Sequence, residues 1–205
     1  APGLGPASRE EGAAVRTRHG LPDRFVVYLG GTDVRKGVHR LLHAFSRWRT
    51  EAGDVDTALV IAGPLHAPDQ PLFLDLPSLI ASLDLAGAVH LLGPVPEAEK
   101  AALYSAATLF AFLSEYEGFG LPPLEAMACG TPVLSSNLSS MPEIIGDAGV
   151  LLDPFDETAV VQALGQLLVN SQWRDELRAR GGARAKLFSW EQTARGTLRA
   201  YERCR

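Results

Sequence analysis

The chain has 205 residues, of which 46% are apolar and 21% are charged, so it is long enough to bury one sizeable core but short for two full domains. Its glycines and prolines are scattered without a period, and this composition excludes collagen-like, disordered and coiled-coil classes. The net charge of −5 argues against a protein that binds nucleic acid, because such proteins usually present a basic face.

Residues 1–20 are polar and rich in glycine, proline and arginine, so we predict a linker that leads into a short helix. After this segment, short β-rich apolar runs alternate with helical patterns, which is typical of a parallel sheet covered by helices on both faces. Six strands are predicted, at Phe25–Leu29, Ala58–Ala62, Val89–Leu92, Leu109–Leu113, Pro132–Ser135 and Val150–Leu152. The helices between them are predicted to begin near Lys36, Leu72, Pro96, Pro122 and Ser140.

Beyond Asp153 only helical patterns follow, at Thr158–Val169, Gln172–Leu187 and Trp190–Arg203. The sequence therefore predicts an α/β fold in which residues 21–205 form one Rossmann-like domain, with a parallel sheet of about six strands, helices on both faces and additional C-terminal helices. In open parallel sheets, ligands bind beyond the carboxyl ends of the strands. We expect the functional residues in the strand-to-helix loops, above all in residues 30–37 and 114–121.

The first of these loops runs from Gly30 to Gly37 and carries two cations, Arg35 and Lys36, where the next helix is predicted to begin. Cations at a helix N-terminus are unfavourable by roughly 0.3–1 kcal/mol, and an anionic ligand would remove that conflict. Free N–H groups, flexible glycines and two cations together suit a phosphate group. The alternative is a solvated surface pair, with Asp33 capping the helix or pairing with Arg35.

The second loop places Glu117 eight residues before Glu125. Two glycines and two prolines between them prevent one continuous helix, so the spacing predicts a loop followed by a helix that begins at Pro122 or Pro123. Glu125 is expected in the first turn, where a carboxylate suits the helix dipole and would accept two neighbouring hydroxyls, as from a ribose. The alternative is that Glu125 only stabilises the helix start and that Glu117 is a surface residue.

The segment Glu117-Gly-Phe-Gly-Leu-Pro-Pro-Leu-Glu125 and the residues after it, 126–133, closely resemble the E-x7-E signature of the retaining glycosyltransferases of family GT4, which have the two-domain GT-B architecture. The resemblance extends to shorter motifs, namely Gly30 with Arg35-Lys36-Gly37, Ala62-Gly63-Pro64, Leu92-Gly93-Pro94-Val95, Pro142-Glu143-Ile144 and Phe188-Ser189-Trp190. From about Phe25 onward the chain resembles the carboxyl-terminal, donor-binding domain of such an enzyme. The resemblance implies an N-terminal acceptor-binding domain as partner, which is absent from this chain.

The resemblance implies a nucleoside diphosphate sugar as the donor, and it distributes the contacts among both loops. Arg35 and Lys36 would hold the diphosphate, Glu125 the ribose hydroxyls and Glu117 the transferred sugar, while main-chain groups around Val95 would contact the base. The implied donor-binding residues are Gly30, Gly31, Arg35, Lys36, Gly63, Val95, Glu117, Gly118, Phe119, Gly120, Leu121 and Glu125. Many members carry arginine where this chain has Gly31, so the diphosphate here depends on the two remaining cations.

The implied reaction transfers a hexose with retention at the anomeric carbon, and its catalytic residues would be Glu117, Lys36 and Arg35. Cations and helix N–H groups aimed at the departing diphosphate stabilise it without a metal or another cofactor, and Glu117 would act by position and charge rather than as a nucleophile. The pattern around Arg35-Lys36 and Met141-Pro142-Glu143 is most similar to mannosyltransferases, which favours GDP-mannose over a UDP-sugar. The alternatives are a non-catalytic nucleotide-sugar-binding module and a GT-B-type epimerase or phosphorylase.

Three weaker patterns have simpler explanations. The triplet Asp54-Val55-Asp56 resembles a DxD metal motif, but it precedes a strand, so we expect a solvated turn at the opposite edge of the sheet. His39 and His43 have the spacing of metal ligands, but no glutamate follows His39 directly, and we expect a solvent-facing pair. The tryptophans are expected to be packing residues, at Trp48, Trp173 and Trp190.

The charge is unevenly distributed, since residues 50–173 hold 16 acidic side chains and one basic one, whereas the rest of the chain holds 18 basic and 8 acidic. The basic flanks suit the absent partner domain or a membrane surface. The longest apolar runs reach only about half of the roughly 20 residues that span a bilayer, and we find no secretory signal. With Cys129 and Cys204 far apart, we expect two reduced thiols in a cytoplasmic protein.

Overall fold

A computed structural model of the chain describes residues 4–65 and 72–203. Within them, strands lie at Phe25–Leu29 (β1), Ala58–Ala62 (β2), Val89–Gly93 (β3), Leu109–Phe112 (β4), Val133–Ser136 (β5) and Val150–Leu152 (β6). They form one parallel sheet in the order β3-β2-β1-β4-β5-β6. Each predicted strand is confirmed to within one residue at either end, and the predicted α/β fold class is confirmed.

Helices and one 3₁₀ turn connect and cover these strands. The α-helices are Arg9–His19 (α1), Val38–Ala52 (α2), Leu76–Ser82 (α3), Glu97–Ala106 (α4), Leu121–Ala128 (α5), Met141–Ile145 (α6), Glu157–Val169 (α7), Ser171–Ala185 (α8) and Trp190–Arg203 (α9), and the 3₁₀ turn is Val34–Lys36. Of the helices in the described ranges, none is long and apolar enough to cross a bilayer.

Two helices begin later than predicted, each for a local reason. At α2, Gly37 adopts a left-handed conformation with φ of 69°, which separates the 3₁₀ turn from the helix and delays the start to Val38. At α3, the Asp75 side chain accepts the Ser78 N–H at 3.1 Å and caps the helix. Leu72, where the sequence predicted this helix to begin, instead uses its carbonyl to accept the Val34 N–H at 3.0 Å.

The N-terminal segment contains the predicted short helix, but this helix packs onto the fold and is not preceded by a linker in the described residues from Leu4 onward. Ser8 and Glu11 form a reciprocal capping box at the start of α1, which is a strong helix-start arrangement. The helix then packs against α4, and Glu99 of α4 contacts both Arg18 and His19. The described part of this segment therefore belongs to the folded unit.

The sheet is buried between its helical layers. Strands β1, β2, β4 and β5 are almost wholly inaccessible, whereas the outer strands β3 and β6 are partly exposed. The burial of the inner strands explains their continuous apolar runs, since a parallel sheet covered on both faces has no polar side.

The described cysteine, Cys129, lies at the end of α5 and is a free buried thiol. Burial raises its pKa to about 12. Cys204 lies outside the described residues.

The order of the strands defines one special position in the sheet. The chain moves outward from β1 through β2 to β3, and then returns to place β4 on the other side of β1. Such a reversal places a crevice beyond the carboxyl ends of the strands on either side of it, where ligands bind in this class of fold. The loops that follow β1 and β4 are residues 30–37 and 113–120, which match the two loops predicted to be functional, except that Leu121 belongs to α5.

Candidate functional site

The two predicted loops are in direct backbone contact at the crevice. The Glu115 N–H donates to the Arg35 carbonyl at 2.8 Å, and the Ser114 hydroxyl donates to the same carbonyl at 3.3 Å. A β-carbon at Gly37 would lie 2.1 Å from the Leu113 carbonyl oxygen. Only glycine permits this approach. The two loops are therefore held together by these hydrogen bonds and by the close packing that Gly37 allows.

Backbone also lies against backbone between the loops that follow β1 and β2. Gly63 has a φ of 125°, and a β-carbon there would lie 2.1 Å from the Gly30 carbonyl oxygen. On the other side, the buried Tyr28 hydroxyl donates to the Gly31 carbonyl at 2.6 Å, and burial raises the pKa of Tyr28 well above its ordinary value. The main chain at Gly30 and Gly31 is thus held from both sides.

An ion pair joins the two loops across the crevice. The Lys36 ammonium lies 2.6 Å from the Glu117 carboxylate, and the two side chains are only 25% and 13% exposed. The Lys36 nitrogen is also 6.0 Å from the centre of the Phe112 ring, within the range of a cation–π contact. The structure therefore brings together two of the three residues that the sequence analysis assigned to catalysis.

Arg35, the third of them, has a different partner. Its Nε lies 3.0 Å from an Asp33 carboxylate oxygen, and its side chain is 66% exposed. Asp33 makes no capping hydrogen bond, so of the two arrangements considered for this residue, pairing is the one observed. Both cations precede α2 instead of lying in its first turn, because Gly37 interrupts the helix, and the helix-dipole conflict that the sequence suggested is correspondingly weaker.

Two serines hold the main chain of Glu117. The Ser139 hydroxyl accepts the Glu117 N–H at 3.2 Å and donates to its carbonyl at 2.7 Å, and the Ser140 hydroxyl donates to the same carbonyl at 3.1 Å. Ser139 has a φ of 54°, a left-handed conformation that is strained for a serine and that often accompanies functional sites. Neither serine was predicted, because they are more than 20 residues away along the chain and no spacing rule connects them to Glu117.

The second glutamate of the motif, Glu125, occupies a different position from the one predicted. Helix α5 begins at Leu121, so Glu125 is its fifth residue and lies beyond the first turn; the expected interaction with the helix dipole is weakened accordingly. Instead, the buried Tyr104 hydroxyl donates to a Glu125 carboxylate oxygen at 3.0 Å. Burial, followed by the charge of Glu125, raises the pKa of Tyr104 well above its ordinary value, so this phenol stays a donor.

The remaining predicted residues lie along the same edge of the sheet. Gly120 is the N-cap of α5 and has a φ of 106°, and a β-carbon there would lie 2.5 Å from the Met141 side chain. A β-carbon at Gly118 would meet nothing within 4 Å. Phe119 and Leu121 are 43% and 41% exposed, and half-buried Val95 follows β3, two strands from β1.

The structure confirms only some of the predictions for the weaker motifs and the tryptophans. The carboxylate of Asp54 accepts N–H groups from Asp56 and Thr57 in a turn before β2, which confirms a turn at the opposite edge. The Asp54 side chain is only 14% exposed because it also pairs with Arg24, so the prediction that it is solvated is wrong. His39 is half-buried, contrary to the prediction, and burial lowers its pKa, whereas His43 is exposed. The buried Trp48 and half-buried Trp173 do pack into the core, but the prediction is wrong for Trp190, which is 61% exposed.

The chain matches the family model for "Glycosyl transferases group 1" over residues 14–187. It is 39% identical to O-antigen chain mannosyltransferase B of Escherichia coli, over 87% of this chain and 45% of that protein. It is 35% identical to MMP alpha-(1->4)-mannosyltransferase of Mycolicibacterium hassiacum, over 91% and 44%. The chain thus spans about half the length of these curated relatives.

Solved structures agree with these relationships. A sucrose-phosphate synthase from Thermosynechococcus elongatus superimposes with a TM-score of 0.81 at 29% identity, over 98% of this chain and 49% of that one. The Anabaena protein Alr3699/HepE, in complex with UDP and glucose, superimposes with a TM-score of 0.83 at 21% identity, over 96% and 53%. By sequence and by its Rossmann-like sheet, the chain belongs to the group 1 glycosyltransferases of GT-B fold.

Proposed function

We propose that this chain is the donor-binding domain of a retaining hexosyltransferase, and that it binds a nucleoside diphosphate sugar in the crevice between β1 and β4. The observation that carries the proposal is the shielded contact between Lys36 and Glu117, which puts a cation and a carboxylate at one point of the crevice. Ligands bind at this position in open α/β sheets. Membership of the glycosyltransferase family supports a donor as that ligand.

Each end of the donor has a suitable partner in this arrangement. Lys36, assisted by exposed Arg35, would hold the diphosphate and stabilise its charge as it leaves. The held main chain at Gly30 and Gly31 would face the phosphates, and Glu117 would accept hydrogen bonds from the sugar hydroxyls. Glu125, oriented by Tyr104, would accept the ribose hydroxyls. Because these cations supply the positive charge, we propose binding without a metal ion or another cofactor.

The chemical identity of the donor is the finer part of the proposal. We favour GDP-mannose, because two curated relatives at 39% and 35% identity are named as mannosyltransferases. A structural neighbour solved with UDP and glucose is only 21% identical, so its ligand argues less for this chain. A UDP-sugar is therefore the second candidate.

Calorimetric titration tests both parts of this proposal. The chain is titrated with GDP, UDP and ADP, with and without a chelator of divalent metals, and then with GDP-mannose and UDP-glucose. We expect binding of GDP and GDP-mannose that the chelator does not change. Absence of binding to every nucleotide would overturn the donor-domain proposal, and preferential binding of UDP would overturn the mannosyl assignment.

We further propose that transfer requires an acceptor-binding half, and that the isolated chain binds donor with little or no turnover. Helix α9 suggests where this half packs, because the helix has no buried residue and exposes Trp190, Leu198 and Tyr201. Its first turn lines an apolar groove together with Phe188, Phe119 and Leu121. An exposed apolar helix face of this kind is typical of a protein interface.

Hydrogen exchange tests this interface. Amides of α9 should exchange more slowly when the chain is joined to an acceptor-binding half than when it is alone, and those of α2 should not change. Unchanged exchange in α9, together with flotation of the chain on anionic vesicles, would show that the helix binds a membrane surface instead.

We also propose a cytoplasmic location for the protein, because we expect its thiols to be reduced.

The alternatives predict different outcomes in an assay with both halves present. A non-catalytic module would bind GDP-mannose but transfer no mannose to any acceptor. An epimerase or phosphorylase would change or consume the sugar without an acceptor alcohol. Transfer of mannose with retained anomeric configuration, followed by NMR of the product, would support the proposed enzyme over both.

A further inference from the structure

The cation proposed to hold the diphosphate already has an anionic partner within this chain. The Lys36 ammonium contacts Glu117 at 2.6 Å, and only 13% of the Glu117 side chain is exposed. The neighbouring carboxylates are engaged elsewhere, since Asp33 pairs with Arg35 and Glu115 pairs with Arg40. Glu117 is thus the carboxylate with which an incoming phosphate would compete for Lys36.

The backbone of Glu117 cannot easily withdraw when a ligand arrives. Its N–H and carbonyl are both held by the Ser139 hydroxyl, and its carbonyl is also held by Ser140. A nucleoside diphosphate that takes Lys36 would therefore leave the Glu117 carboxylate close to the phosphates, without its cation and with little water. Like charges disfavour each other most where both are shielded from solvent.

An intact donor changes this balance, because it carries a sugar next to the phosphates. Sugar hydroxyls can donate hydrogen bonds to the Glu117 carboxylate and replace the Lys36 ammonium as its partner. Hydrogen bonds to a charged group are worth more than those between neutral groups. The Glu117 carboxylate therefore weakens binding of the sugar-free nucleotide and strengthens binding of the nucleotide sugar.

We propose that Glu117 is a specificity-determining residue that selects the intact donor against its own nucleoside diphosphate product. In the free domain its carboxylate neutralises Lys36, the sugar-free nucleotide must compete with it, and the donor satisfies it. After transfer, loss of the sugar leaves the carboxylate facing the product diphosphate and favours product release. This inference rests on the proposed function of the crevice.

The test compares GDP and GDP-mannose binding to the wild-type chain and to Glu117→Gln by calorimetry. Removing the charge should make GDP bind about tenfold more tightly, while GDP-mannose binds more weakly, so that the preference for the donor falls by more than about tenfold. Glu117→Ala should also tighten GDP binding and should weaken GDP-mannose binding further, because it removes the acceptor altogether. Thermal unfolding of both variants verifies that they are folded.

A matched control removes a carboxylate that does not face Lys36. Glu176 is exposed on α8, the helix that packs against α5, and Glu176→Gln should change neither affinity by more than about twofold. If the wild-type chain binds GDP but Glu117→Gln and Glu117→Ala bind it no more tightly, the selection proposal is wrong while the donor site stands. If the wild-type chain binds no nucleotide, both proposals are wrong.

Discussion

The Tyr104 hydroxyl lies 3.0 Å from a carboxylate oxygen of Glu125 and links α4 to α5 beneath the proposed ribose position. Tyr104 is completely buried, so its phenol has a fixed direction and an environment of low dielectric constant, in which hydrogen bonds to a charge are strong. We regard Tyr104 as a positioning residue for Glu125.

Tyr104→Phe should weaken GDP binding by roughly threefold to tenfold, because the Glu125 carboxylate loses the donor that orients it. Binding of inorganic pyrophosphate, which has no ribose, should not change. Calorimetry of both ligands makes the comparison, with exposed Tyr201→Phe as the control. Equal losses for GDP and pyrophosphate would indicate a general structural defect instead of a positioning role.

Two substitutions of Ser139 separate the effect of backbone strain on stability from the effect of its hydrogen bonds. Ser139→Ala loses the contacts to Glu117 but keeps the left-handed φ of 54°, whereas Ser139→Gly loses the same contacts and relieves the strain. The free energy of unfolding of the glycine variant should exceed that of the alanine variant by about 1 kcal/mol. Urea denaturation measures this difference.

The same two variants also test the position of Glu117. Both should reduce the preference for GDP-mannose over GDP, because each releases the Glu117 backbone to the same extent. A reduced preference in the glycine variant alone would show that the constrained left-handed backbone, and not the hydroxyl, positions the carboxylate.

Gly31 has space for a larger residue. A β-carbon there would meet only an Asp33 carboxylate oxygen, at 3.7 Å, and many members of the family that this chain resembles carry arginine at the position. Gly31→Arg should therefore be folded and should bind GDP roughly threefold to tenfold more tightly at low salt, with a gain that declines as salt rises. Gly31→Ala is the control for the added side chain, and an equal gain in that variant would contradict an effect of charge.

Gly63 has no such space. Gly63→Ala should lower the free energy of unfolding by about 2–4 kcal/mol, since the new carbon would collide with the Gly30 carbonyl oxygen and φ is 125°. Gly182→Ala, in α8 where a β-carbon meets nothing, should raise it by roughly 0.5–1 kcal/mol. Chemical denaturation of the two variants should therefore give changes of opposite sign.

Asp54 gives a prediction for pH. Burial by itself would raise the pKa of Asp54, but hydrogen bonds from Thr57 and Asp56 and the charge of Arg24 outweigh it and lower the pKa. Its stabilisation is therefore present above the unfolded-state pKa and is lost as pH falls through the lower, folded-state pKa. The difference in unfolding free energy between the wild-type chain and Asp54→Asn should shrink from about pH 7 to about pH 3, and a constant difference would contradict this assignment.

The strands and the two functional loops were predictable from local sequence. Buried parallel strands need continuous apolar runs, so β1 at Phe25–Leu29 and β2 at Ala58–Ala62 have the predicted bounds. The prolines after Gly120 similarly limited the start of α5 to within one residue or two. Helix starts that depend on a left-handed glycine, as at Gly37, were placed less well because sequence alone does not reveal φ.

By itself, then, the sequence determined the fold class and the carboxyl edge on which its glycine-rich loops lie, because apolar periodicity and strand-to-helix order are local properties. Only the tertiary structure decided which side chains meet there. The strand reversal between β1 and β4 brings Lys36 to Glu117 across 81 positions of the chain, and helix packing brings Tyr104 to Glu125. Such contacts depend on the packing of whole elements, which residue spacing does not specify.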